Sequence, residues 1–502
     1  MAILNSIASW LMVKRMHQIE LFMKHPHEVQ EEWFNQLITS GRETEFGKSY
    51  GFDDITNTEQ FRKNIPVQTY DSLKPLIERT RKGEHHLLWP AEVKWFAKSS
   101  GTTNDKSKLI PVTEESLKEC HFKAGKDMIT IYCNNYPDHQ LFTGKNLALG
   151  GSHKTDEFDL YESYQGDVSA IVIQNLPMWA DMFRAPNVDI ALLSNWDEKL
   201  LRIAESTMQE NVVSLAGVPS WMIVILRKVL ELSGKKTIRE VWPSLEVYFH
   251  GGVNLSPYRH QLNEIIGSEL HLLELFNASE GFFGMQDQKS TNDLLLMLDY
   301  GIYYEFIPQG EWDKENPQTI DLQSVELGKT YAMVITTTGG LWRYNLGDTI
   351  QFTSLLPYRF RIAGRTKSCI NVFGEELMED NAIRALEVAC TKTHSSITEF
   401  TAAARFSEDR KTAYHEWIIE FDHAPENIEY FSEILDNTLK SLNSDYEAKR
   451  YGNYILQPLR VETVNTGTFQ SWLKSKNKLG GQNKVPRLSN DCNIADEILR
   501  IG

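Results

Sequence analysis

Between two strand-like runs, Val93–Ala97 and Leu109–Val112, the chain carries Lys98-Ser99-Ser100-Gly101-Thr102-Thr103-Asn104-Asp105-Lys106-Ser107-Lys108. These are residue types that can hold a phosphate chain. Backbone N–H groups and the hydroxyls of Ser99, Ser100, Thr102 and Thr103 donate to phosphate oxygens, Gly101 lets the backbone come close, and Lys108 adds a fixed positive charge. The chemistry would be that of a nucleoside triphosphate, and so of an energised reaction. Clusters of Ser, Thr, Gly and Asn also make ordinary turns. The phosphate reading therefore depends on what else the chain carries.

Two further islands lie downstream. Phe276-Asn277-Ala278-Ser279-Glu280-Gly281 follows a strand-like run, Leu270–Leu275. Open α/β sheets place ligands at such strand ends. There Ser279 can bond a phosphate oxygen, and Glu280 offers the hard oxygen ligand that Mg²⁺ prefers. The bland alternative is a strand-to-loop turn with a solvated glutamate. In Trp342-Arg343-Tyr344-Asn345-Leu346-Gly347-Asp348, Asp348 can accept from the two cis hydroxyls of a ribose, and Gly347 lets the sugar approach. Alone, that segment reads as a Gly-Asp turn. His250-Gly251-Gly252 follows another strand-like run, where paired glycines let a flat base lie on the backbone. Near the end, Gly480-Gly481-Gln482-Asn483-Lys484-Val485-Pro486-Arg487 carries Lys484 on a glycine-rich turn. A lysine so placed either reaches an α-phosphate or is a solvated surface charge. Gly47-Lys48-Ser49 imitates the end of a P-loop, but Gly41 is one residue too distant and no strand precedes it.

These islands need a large scaffold. At 502 residues the chain exceeds one ordinary core, and 41% apolar with 24% charged residues is a globular composition. A net charge of −16 disfavours nucleic acid and anionic membranes as partners. Five scattered cysteines without a C-x-x-C fit a reducing compartment, the cytoplasm. The apolar N-terminal stretch is followed, not preceded, by Lys14-Arg15, and reads as a buried helix face rather than a leader. No apolar run approaches membrane-spanning length.

Residues 1–40 read as helical. Thr113 reads as the N-cap of a helix reaching about Cys133. Ser169–Ile173, Val212–Leu215 and Leu245–Phe249 read as strands, alternating with helices such as Glu198–Glu210 and Pro219–Leu232. The alternation predicts an α/β fold with a parallel-rich sheet. Short strands after residue 293 predict a smaller β subdomain. Beyond Gly364-Arg365-Thr366-Lys367-Ser368 the pattern predicts a small α+β domain. The expected division is 1–365 and 366–502.

Taken in order, the islands resemble the Gretchen Hagen acyl-acid amido synthetase family, within the adenylate-forming enzymes. That family carries a Ser-Ser-Gly-Thr-Ser loop ending in Lys, matched at Ser99–Lys108. Its Tyr-x-x-Ser-Glu is matched at Phe276–Glu280, its Tyr-Arg-x-Gly-Asp at Tyr344–Asp348, and its Gln-x-Lys-x-Pro-Arg at Gln482–Arg487. The resemblance spans nearly the full length. Thr103 stands for Ser, Asp105 for a common Gly, Phe276 for Tyr and Asn345 for Arg. The last three bear on nucleotide affinity more than on reaction class.

The resemblance implies ATP and Mg²⁺, a carboxylic acid activated as its adenylate, and transfer to an amino acid amine. It implies Ser99, Ser100, Gly101, Thr102, Thr103 and Lys108 on the phosphates, and Glu280 on the metal. Gly251, Gly252, Phe276, Asn277, Ser279 and Asp348 would bind the nucleotide. Lys484 would sit on the α-phosphate, carried by a mobile small domain hinged near Arg365–Lys367. His121, Phe122 and Trp179 are candidates to line the acyl pocket. A ligase forming acyl-CoA from the same adenylate, or a nucleotide-binding protein without turnover, are the alternatives that the residues leave open.

Overall fold

The computed structural model describes the chain apart from residues 1, 100–107, 152, 159–160, 253–254, 256–258, 290, 313, 367–368, 371, 374, 376, 408–411, 451–452, 454–455 and 477–483. The side chains of residues 2–11, 153–158, 179, 220, 260 and 444–445 are also outside it. Two compact units form, one from Met1–Gly252 with Glu269–Arg361, the other from Val253–Ser268 with Ile362–Gly502.

The first unit is built on a 12-stranded sheet. Its parallel half runs Arg184–Ala185, Lys145–Ala148, Val212–Gly217, Val247–Gly251, His271–Ala278. The burial of both faces explains the continuous Val-Val-Ser-Leu and Val-Tyr-Phe-His runs, whose residues are all buried. At Ser279-Glu280 the chain turns back into Gly281–Gln286, and from there the sheet continues through Leu294–Leu296, Tyr358–Arg365, Tyr344–Leu355, Thr330–Thr337, Ile302–Pro308 and Ile320–Asp321. The strands expected as a β subdomain are thus the second half of one sheet. A separate sheet orders Lys108–Val112, Trp95–Ser99, Tyr161–Gly166 and His153–Phe158.

Helices Ala2–Lys24 and Pro26–Gly41 hold to this unit through polar contacts as well as apolar ones. Buried Arg15 forks onto Asp127 with two bonds of 2.6 Å and reaches Asp299 at 2.8 Å. Gln30 donates to Leu298 O and Ile302 O and accepts from the Tyr304 N–H. Gly47-Lys48-Ser49 lies in the short helix Glu45–Ser49, capped by Thr44, and is no phosphate loop.

Thr113 caps its helix as expected, in a reciprocal box with Ser116. Leu117–Phe122 then widens into a π-helix before α-helix Lys123–Asn135. The run expected as strand Ser169–Ile173 is instead helix Val168–Gln174, which buries Val168, Ala170, Ile171 and Ile173. A short apolar run is compatible with either state, and here tertiary burial decides.

The second unit has a four-stranded sheet ordered Arg460–Val464, Ala413–His423, Ser396–Phe406, Leu488–Ser489. Helices Glu379–Thr393 and Ile428–Leu442 are part of this unit, the latter capped by Asn427. Its core joins Leu386, Phe400, Trp417, Leu435 and Leu439. None of the five cysteines forms a disulfide. Among the described residues no helix is long and apolar enough to cross a membrane.

Candidate functional site

The hydroxyl-rich loop is closed at its base by a strand ladder. Ser99 and Lys108 end antiparallel strands and face each other in register. Ser100, Gly101, Thr102, Thr103 and Asp105 lie outside the described residues. Lys108 does not. Its Nζ lies 3.4 Å from the Tyr344 hydroxyl and 5.9 Å from the ring centres of both Tyr70 and Tyr344. Tyr70 in turn accepts the Leu109 N–H at 3.0 Å. Burial raises the Tyr70 phenol above its ordinary value, so it stays neutral near pH 7. The ammonium is thus seated at the Tyr344 hydroxyl and beside the Tyr70 ring.

The second island is a β-hairpin whose strands, paired at Ala278 and Gly281, are joined by Ser279 and Glu280 alone. Ser279 Oγ donates to Lys98 O at 3.4 Å, which puts the turn beside the first island. Glu280 is half-buried at this turn. Phe276 points into the core, 7% exposed, with its ring centre 5.2 Å from Phe283 and 5.9 Å from Phe360. Gly251 ends the neighbouring strand opposite Leu275, and Gly252 follows it. A Cβ at Gly251 would stand 2.5 Å from Leu275 O and 3.3 Å from Asn277 Oδ1. The glycine is required by this close approach, which also fixes Asn277 beside the His250-Gly251-Gly252 turn.

The third island is a bulge inside strand Tyr344–Leu355. Thr349 pairs with Ala332 and Asn345 with Val334, so Leu346, Gly347 and Asp348 stand opposite Met333 alone. Gly347 takes φ 81, where a side chain would be strained, and its N–H bonds Asn345 Oδ1 at 3.0 Å. The bulge re-aims half-buried Asp348. Asn345, where the resembled family has Arg, holds this bend.

Several residues that build the site carry no local signal. Gln68 bridges in parallel to Tyr344, its N–H donating to Arg343 O and its carbonyl accepting from Asn345 N, each at 2.8 Å. Arg343, at φ 44, forks onto Glu305 with two bonds of 2.9 Å, donates to Thr319 Oγ1 at 2.6 Å, and also holds the carbonyls of Arg62 and Ile65. Cys120 of the π-helix accepts the Phe282 N–H at 3.1 Å, tying that helix to the Glu280 hairpin. Burial alone drives neighbouring His121 down to about 4, so its imidazole is neutral at pH 7. The Trp179 side chain lies outside the described residues, and Phe122 is half-buried.

Buried Lys199 donates to the carbonyls of Gly150 and Gly151, just past the end of parallel strand Lys145–Ala148. Burial lowers its amine to about 8, against a smaller opposing pull from Asp167. A lysine depressed in the native state binds fewer protons there than in the unfolded chain. Its contribution to stability therefore grows as pH rises from about 8 to 10.4, by roughly 3 kcal/mol. Urea unfolding across that window is expected to show the rise, and Lys199→Met to flatten it.

In the second unit, exposed Lys484 precedes a firmly held segment. Pro486 O accepts from Thr401 Oγ1 at 2.7 Å. Arg487 bonds Glu399 and, at 3.0 Å, Phe400 O, with its guanidinium 4.5 Å from the Phe400 ring centre. Among the described residues no group of three or more His, Cys, Asp or Glu could hold a metal ion. One carboxylate at this turn, Glu280, fits a cation that arrives on a nucleotide's phosphates, not one caged by protein.

Profiles of three domains match the chain: the GH3 family N-terminal domain at residues 15–272, its central domain at 295–365 and its C-terminal domain at 380–493. The indole-3-acetic acid-amido synthetase GH3.3 of Arabidopsis thaliana is 23% identical, covering 95% of this chain and 91% of its own. The solved GH3.15 acyl acid amido synthetase superimposes with a TM-score of 0.79 at 18% identity, covering 97% of this chain and 95% of its own. A 2-hydroxyisobutyryl-CoA ligase in a postadenylation state superimposes at 0.61 with 12% identity, covering 94% and 90%. With the islands in family order and the family's domains matched along its length, this chain belongs to the GH3 family.

Proposed function

We propose that the protein activates a carboxylic acid with ATP and transfers the acyl group to the amine of an amino acid. A carboxylate oxygen attacks the α-phosphorus, the bond to the β-phosphate oxygen breaks, and pyrophosphate leaves. The amine then attacks the acyl carbon, the bond to AMP breaks, and the amine loses a proton. The main barrier to the first step is repulsion between anions, so fixed cations and aimed donors supply most of the catalysis.

The observation that carries this reading is convergence. Ser279 meets Lys98 and Lys108 meets Tyr344, so one loop base gathers the hairpin turn and the bulge although they are distant in sequence. Ser99 and Lys108 face the phosphates, with Ser100, Gly101, Thr102 and Thr103 between them. Ser279 takes a phosphate oxygen, and Asp348 accepts from the ribose. Glu280 would hold Mg²⁺, which when bound neutralises phosphate charge. Gly251, Gly252 and Asn277 flank the base. Phe276, packed among Phe283 and Phe360, supports that wall from the core side. A small domain from about residue 366 carries Lys484 to the α-phosphate and withdraws it for transfer. Work in the cytoplasm suits cysteines that form no disulfide.

The deciding experiment is ATP–pyrophosphate exchange over a panel of aryl and fatty acids, with hydroxylamine as trap. Exchange with one acid class is expected, followed by AMP release that depends on an amino acid. Dependence on coenzyme A instead would make the protein an acyl-CoA ligase. ATP binding without exchange would make it a binding protein. Lys484→Ala is expected to slow exchange about a hundredfold and transfer from preformed adenylate far less. Equal slowing of both would remove Lys484 from this role.

A further inference from the structure

The second unit buries one acid–base pair that the proposed chemistry does not use. Glu375 and His415 are both 0% exposed, with His415 Nε2 3.1 Å from Glu375 Oε1. The second carboxylate oxygen accepts the Phe373 N–H at 2.7 Å, and Asn443 Nδ2 donates to the Glu375 carbonyl at 3.0 Å. Burial pushes Glu375 up, but the bond and charge of His415 and the Phe373 N–H outweigh it and hold the carboxyl below its ordinary range. Removing one partner leaves the other a buried polar group without that hydrogen bond.

Its place in the chain gives the pair meaning. Glu375 lies between strands Cys369–Ile370 and Leu377–Met378, which pair as a small antiparallel ribbon. This ribbon begins just after residues 365–367, the expected hinge. Ile370 and Leu377 are fully buried in the unit's core, and Phe373 packs edge-on against Phe406 at 5.8 Å. His415 stands on the long strand Ala413–His423. The ribbon's first strand also packs beside Leu488–Ser489, the strand into which Lys484–Arg487 runs. One carboxylate thus joins the segment after the hinge to the sheet that anchors the lysine-bearing arm.

We infer that Glu375 is a positioning residue for adenylation: paired with buried His415, it makes the post-hinge ribbon and the Lys484 arm one rigid body, so that movement at the hinge is delivered to the lysine. The inference rests on the reading that Lys484 serves the α-phosphate.

Glu375→Gln is the test. An amide has one acceptor oxygen where the carboxylate has two, so it cannot accept from both the Phe373 N–H and a His415 that donates through Nε2, while the volume is kept. Exchange is expected to fall about tenfold, with transfer from preformed adenylate within about twofold of the parent. In a Lys484→Ala background the same change is expected to lower exchange by less than about twofold further, because the two act through one contact. Hydrogen exchange is expected to speed up in Cys369–Met378 and not in Ser396–Phe406. Equal loss in both half-reactions, full additivity with Lys484→Ala, or uniformly faster hydrogen exchange would overturn the inference. Lys484→Ala leaving exchange intact would instead overturn the reading of Lys484, and no exchange with any acid would overturn the adenylation reading. The inference would fall with either.

Discussion

Lys108→Ala is expected to lower carboxylate-dependent ATP–pyrophosphate exchange by about a hundred- to a thousandfold, the range for removing one fixed charge-stabilising donor. Stability should hardly change. The side chain is half-buried, and its contact with the Tyr344 hydroxyl is worth about 0.5–1.5 kcal/mol. The effect is large because the cation is already in place before substrate arrives. Its backbone ends a strand in register with Ser99, and its ammonium is seated at the Tyr344 hydroxyl and beside the Tyr70 ring. Little reorganisation remains at the moment of reaction. Lys108→Arg should recover only part of the rate, since a planar fork does not fill the place of a compact ammonium. Exchange kinetics and equilibrium ATP binding check this together. A loss below about fivefold in Lys108→Ala, with ATP bound as by the parent, would take the lysine off the phosphates.

Residue types alone left the loop between a phosphate cradle and an ordinary turn, and the phosphate reading leaned on the other islands. Elements with strong local signals were legible. Thr113 caps a helix where the sequence places it, and Val212–Gly217 and Ile302–Pro308 are strands because β-branched and aromatic residues fill them. What stayed hidden depends on distant partners. The continuity of the 12-stranded sheet rests on Leu294 meeting Phe360, far along the chain. Val168–Gln174 is helical because of what covers it. The π-helix at Leu117–Phe122 depends in part on Cys120 meeting Phe282. Gly347-Asp348 read as a turn, yet it is a bulge that needs the opposite strand to exist. The contacts that gather the site, Ser279 with Lys98 and Lys108 with Tyr344, are invisible to any local pattern.

Arg343→Met is expected to destabilise the first unit by about 3–5 kcal/mol, the cost of leaving a buried charge without its partner. Arg343 and Glu305 have 4% and 1% side-chain exposure, so water cannot replace what is lost. The carbonyls of Arg62 and Ile65 and the Thr319 hydroxyl would lose a donor as well. Urea unfolding should show a lower midpoint with an unchanged slope. The double variant Arg343→Met with Glu305→Leu is expected to regain most of the stability, because it removes both charges and leaves apolar volume. Activity should not return with it. Arg343 sits one residue before Tyr344, and the Gln68 bridge holds its carbonyl. Its guanidinium sets where strand Tyr344–Leu355 begins, and with it both the tyrosine that meets Lys108 and the bulge that carries Asp348. A stable double variant that exchanges pyrophosphate poorly would separate the pair's two effects, since an apolar substitute can fill the space but cannot hold those carbonyls. Full recovery of both would mean that the strand keeps its pose without the pair, and that Arg343 serves stability alone.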